Sequence, residues 1–171
     1  MQKKFSYPIK IDELNQNQYH FTLVADNNEL KDITQILQVE NVKAFVAEIF
    51  IKRNIKNHLM RVWGNVKAQI ELKSVISLEN FVKDYNTEFE LIYDTEATYQ
   101  DIKNMESSIN DEVPDIVENG VINLADIVIE QIALCLDDYP RVEGEVFDFA
   151  EYEKIKSKDE NPFAILQKLK K

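Results

Sequence analysis

The sequence predicts an α+β fold, a mainly antiparallel β-sheet with two packed helices and a flexible acidic periphery. Three observations predict it. From Met60 to Leu72 the even positions are apolar apart from Gly64 (Met60, Val62, Val66, Ala68, Ile70, Leu72), while the odd ones are polar or aromatic (Arg61, Trp63, Lys67, Gln69). Tyr85, Thr87, Phe89, Leu91 and Tyr93 repeat that alternation. A period of two places successive side chains on opposite faces, so each segment reads as a half-buried strand. Two further segments, near residues 27–38 and 123–136, carry apolar residues at helical spacing.

Taken in order, Gln18 to Val24 is a strand bounded by Ala25-Asp26-Asn27-Asn28, whose carboxylate and amide side chains suit a helix cap. Leu30, Ile33, Ile36 and Leu37 then form one stripe of a short surface helix. Residues 42–52, rich in Val, Phe and Ile, read as a strand, and residues 53–57 as a polar hairpin connection. The strands at 60–72 and 85–94 follow. Residues 94–112 are acidic and aperiodic, a mobile excursion. Asn119-Gly120 is a tight turn, and Asn123 caps a helix whose Leu124, Ile127, Val128, Ile132, Leu134 and Cys135 are mostly buried. No repeat or linker divides the chain, so residues 1–150 are expected to form one domain and 151–171 a charged, amphipathic tail.

The chain has 171 residues and a formal charge of −11, which, evenly spread, opposes general affinity for duplex backbones or anionic membranes. It is not evenly spread. Residues 41–78 hold seven Lys/Arg against two acids, whereas residues 79–160 hold 23 acids against six bases. Such asymmetry points to a polyanion-contacting face beside a solvating acidic region, or simply to clustering on a solvated surface. A single cysteine, Cys135, excludes an internal disulfide and suits a reducing compartment. No apolar stretch approaches a membrane span, and no apolar core follows the first two lysines, so a cytoplasmic location is expected.

Enzyme motifs are absent: three glycines supply no phosphate-cradling loop, and neither nucleophile elbow nor zinc-protease helix occurs. His20 and His58 lack sequence partners and carry no catalytic assignment. Cys135 reads as a small core hydrophobe rather than a reactive thiol. Tyr139-Pro140-Arg141 reads equally as a helix stop or as a contact site. The strongest candidate is a basic strand face with its preceding hairpin: Lys52, Arg53, Lys56, Arg61, Trp63 and Lys67. Cations neutralise phosphates and an indole stacks on bases, the pairing used by sheet faces that bind single-stranded RNA. The plainer reading is that Trp63 packs under a helix and the bases solubilise the hairpin.

The ordered blocks Ala25-Asp26 with Leu30, Val62 to Gln69, Ser74 to Glu79, Asp115 to Gly120, Ile122 to Asp126, Glu130-Gln131, Asp138-Tyr139-Pro140-Arg141 and Asn161-Pro162-Phe163-Ala164 resemble the YceD-like large ribosomal RNA subunit accumulation proteins of alphaproteobacterial type. Asp126, Glu130, Tyr139, Pro140 and Arg141 are the residues that match its helix and exit motif. The chain departs from the pattern at Ser74 and Ser77, where many members carry cysteines, and at Asn80, where proline is common. Serine hydroxyls are poor zinc ligands, so no metal site is expected. The resemblance implies a factor for accumulation or maturation of large-subunit ribosomal RNA or its precursor. It carries over no catalytic residue, cofactor, membrane or small-molecule substrate. The competing expectation is an acidic interaction module that binds a basic ribosomal protein during large-subunit assembly. A hydrolase grouping His20 or His58 with carboxylates is the third.

Overall fold

The computed structural model describes residues 5–98, 100–101 and 114–147. The core of the architecture is three long strands, β3 (Asn41–Asn54), β4 (Leu59–Lys73) and β5 (Asn80–Asp94), each antiparallel to the next. Strand β2 (Gln18–Val24) pairs antiparallel with β3, and the two-residue strand β6 (Asp115–Ile116) lies parallel to the end of β5. The order is β2-β3-β4-β5-β6. A separate ribbon joins β1 (Pro8–Lys10) to β7 (Val121–Asn123). Helices α1 (Asn27–Leu37) and α2 (Leu124–Ala133) complete an α+β arrangement.

Each boundary has a local cause. Asp26 accepts hydrogen bonds from the Asn28 and Glu29 amides while Glu29 accepts one from the Asp26 amide, a reciprocal capping box that starts α1. Gln38, at a left-handed φ of 55°, ends it. Asn123 begins α2 by accepting from the Ala125 amide, and it also accepts from the Tyr7 amide, locking the β1 segment onto the helix entrance. Asp126, in the first turn, accepts from the Asn123 amide group and places a carboxylate at the positive end of the helix.

The even-numbered face of β4 is buried as its alternation predicts: Met60, Val62, Val66 and Ile70 are solvent-inaccessible. Across the sheet it joins Leu23, Phe45, Ala47, Ile49, Ile51, Tyr85 and Phe89. Ile33 and Leu37 of α1 and Leu124, Val128 and Ile132 of α2 cover that face. Helix α2 ends at Ala133, so Leu134 and Cys135 lie past its last regular turn, and both are exposed. They are not core; Leu134 stands two residues, and therefore more than half a turn, from the inward-facing Ile132. The excursion at 94–112 begins only after β5 has run through Asp94. Most of it, together with the tail at 151–171 and its Asn161-Pro162-Phe163-Ala164 block, lies outside the described residues.

Gly64 of β4 lies against the β3 backbone with no room for a side chain. A Cβ at this position would stand 2.0 Å from the Glu48 carbonyl oxygen, a backbone atom that no side-chain rotation moves. Gly64→Ala is therefore expected to lower unfolding free energy by about 3 kcal/mol, at the upper end for overpacking, read as a lower denaturant midpoint at unchanged slope.

Candidate nucleic-acid interface

The opposite face of the sheet is uncovered by either helix and divides into two halves. On the β2-β3-β4 half, His20, Phe50 and Trp63 occupy directly paired positions on successive strands. Their rings form a column, His20 on Phe50 with centroids 4.5 Å apart and planes within 9°, and Phe50 on Trp63 at 5.7 Å and 20°. The next position across, on β5, is Glu90. Arg61 lies over the indole, its guanidinium carbon 4.8 Å from the ring centroid, and grips Glu90 through two hydrogen bonds of 2.6 Å. The bidentate geometry raises the Arg61 pKa and holds the Glu90 carboxyl below its ordinary range, chiefly through those hydrogen bonds.

The β4-β5 half is a polar ladder. Asn65 donates to Asn86 Oδ1 and to the Thr87 carbonyl, Gln69 donates to Asp84, and Glu71 accepts from Asn80 while pairing with Lys43 at 3.3 Å. Sequence reasoning saw the basic stretch but not its surroundings. The β4-β5 register brings Asp84, Glu88 and Glu90 from the acidic half of the chain onto the same face as Arg61 and Lys67. The face is mixed in charge rather than uniformly basic.

Of the six residues proposed from sequence, Lys52, Arg61, Trp63 and Lys67 share this open face; Lys52 pairs directly with Arg61. Trp63 is half-buried on it rather than sealed beneath a helix. Lys56 is exposed in the hairpin, its amide donating to Asn54. Arg53 points to the other side: it pairs with the buried Met60, and its guanidinium donates to the Ile11 carbonyl, bracing the 3₁₀ turn at Ile11–Glu13. His20 and Phe50 were not singled out for this surface. A strand alternation in 18–24 and 42–52 puts each on one face, but their meeting needs the cross-strand register. His58, at a φ of 59°, braces the hairpin, its ring nitrogen 2.7 Å from Glu96 and its carbonyl accepting from Thr95.

The residues of the helix and exit motif lie elsewhere. Glu130 is exposed on α2, and Tyr139 and Arg141 are exposed in the segment after it. Tyr139 and Arg141 flank an open groove of about 1030 Å³ with Phe81, Lys83 and Glu145. Lys83 and Asp137 form an ion pair across it. Lys83 stands opposite Ile70, seven positions along β4 from Trp63, or roughly 23 Å at strand rise. The turn at Ser74 closes the same region. Buried Ser74 donates to Glu145 at 2.5 Å and accepts from the Ile76 and Ser77 amides, and the Val75 amide donates to the Pro140 carbonyl. Hydrogen bonds from Ser74, Ser77 and the Val142 amide hold the Glu145 carboxyl below its ordinary pKa. Ser74 and Ser77 thus tie the exit segment to the sheet by hydrogen bonding.

A family model described as large ribosomal RNA subunit accumulation protein YceD matches residues 62–170, more than half of the chain. No curated protein and no solved structure matches.

Two outcomes are expected. A carboxylate whose pKa falls on folding contributes stability that is present above its unfolded value and lost as pH drops through its folded value. Glu90 should accordingly titrate below free glutamate in a carboxyl-resolved NMR titration and return to the ordinary range in Arg61→Ala. Ser74→Ala removes one donor and one double acceptor from a buried turn and should cost about 2 kcal/mol, measured by chemical denaturation.

Proposed function

The chain belongs to the YceD family of large ribosomal RNA subunit accumulation proteins, and we propose that it serves large-subunit ribosomal RNA as a non-catalytic factor that contacts the RNA through its open sheet face. Family membership supports the role in accumulation of that RNA. The direct contact is our reading, and one observation carries it: three stacked rings stand on a solvent-facing sheet with Lys52 two positions from Phe50 along β3 and Lys67 four positions from Trp63 along β4 on the same face. Rings supply sequence-tolerant stacking and the lysines neutralise phosphates, the combination by which sheet surfaces hold unpaired RNA. Arg61 contributes by fixing the indole, because its own charge is matched by Glu90.

A second reading has its own support. Glu48 and Glu88 share this face with the rings, and residues 79–160 hold 23 acids, a charge suited to a basic ribosomal protein before it docks. Crosslinking in cells with sequencing of bound RNA and mass spectrometry of bound proteins separates the two. RNA-free complexes with a basic protein favour the second.

The double variant Lys52→Glu, Lys67→Glu should lose retention on large-subunit RNA at moderate salt with an unchanged melting curve. The wild-type salt slope should include about 0.7 per phosphate contacted by each lysine, as for single strands. Unchanged retention rejects the RNA-contacting face.

A further inference from the structure

We infer that the free end of the ring column, at His20, takes an unpaired nucleobase, so that the RNA engaged here is single-stranded at the point of contact. The inference rests on the RNA reading above and adds the kind of RNA and the residue that receives it. The column has two unlike ends. On the β5 side it is closed, because Arg61 reaches across Trp63 to Glu90 and its guanidinium occupies the space next to the indole. On the other side it ends at β2, which is the edge strand of the sheet. His20 is exposed there, and its ring lies parallel to Phe50 beneath it. With one face of the imidazole on Phe50, the other is covered by no further strand among the described residues. A planar aromatic group entering from the edge continues the stack in register.

Charge orients what enters. His20 pairs with Phe50, so its diagonal neighbours on β3 are Lys52, opposite Gln18, and Glu48, opposite Thr22. A phosphate attached to the stacked base is attracted toward Lys52 and repelled by Glu48, which sets the strand running toward the hairpin end, where Lys56 is also exposed. In a duplex both faces of every internal base are covered by its neighbours, so duplex RNA has no base to offer the column. A nucleobase, unlike a bare anion, uses both the ring and the lysine.

The test uses RNA of about 12 nucleotides carrying 2-aminopurine, a base whose emission falls on stacking, as a single strand and as a duplex. The wild-type protein should quench the single strand and bind it more tightly than the duplex. His20→Ala should abolish the quenching and weaken single-strand binding roughly ten-fold, the scale of one lost stacking partner, whereas His20→Phe should restore both. Melting curves check that the exposed site tolerates each change. If His20→Ala retains quenching and affinity while Lys52→Glu, Lys67→Glu loses RNA, the base site is overturned and the RNA-contacting face stands. Failure of His20→Phe to restore what His20→Ala loses overturns stacking as the cause. If no variant alters RNA binding, or a lysine-rich peptide binds this face and RNA does not, both readings fall.

Discussion

The register between β3 and β4 governs everything that the open face presents. It is pinned where the Gly64 backbone lies against the Glu48 carbonyl, a contact that any larger residue would push apart. A slip of one residue would turn every side chain of the strand to the wrong side of the sheet. The fixed pairing sets Phe50 opposite Trp63 and Lys52 opposite Arg61, while the same register buries Ile49, Ile51, Val62 and Val66. Core and surface therefore constrain each other: the apolar alternation that selects the register for burial also builds the ring column outside.

What could be read from the chain alone was what depends on neighbours in sequence. Gln18 to Val24, the alternation of β4, and the caps at Asp26 and Asn123 are local patterns, and they appear where the residues put them. What could not be read was what depends on partners far away. Arg61 looks like a free cation until Glu90, 29 positions on, is brought opposite its neighbour. Arg53 looks like part of the same cluster until parity puts it with Met60 on the buried side, reaching for Ile11. His20 looked isolated because its companions sit on two other strands. Cys135 misled for a different reason: apolar residues continue past Ala133 although the helix stops there.

The helix and exit residues singled out in the sequence and the face proposed to hold RNA are at different places on the molecule. Asp126 completes a helix start, Pro140 anchors a turn by its carbonyl, and Ser74 with Glu145 closes that turn. These are positions at which a particular hydrogen-bonding group maintains the backbone path. Tyr139 and Arg141, both exposed beside the groove, have no such duty among the described contacts. Structural demands account for Asp126, Pro140 and Ser74 and leave the exposed Tyr139 and Arg141 to other uses.

The hydrogen bond from the Tyr7 amide to Asn123 spans 116 positions, and it bears on how the chain comes off the ribosome that makes it. The long strands are complete once Asp94 has emerged, but α2, which covers much of their apolar side, starts 30 positions later at Leu124. During that interval of synthesis the part of the apolar side that α1 leaves uncovered stands exposed, and the Tyr7 amide waits for a partner not yet translated. Closure is thus a late event, and the nascent protein passes through a stage in which chaperones have a ready target.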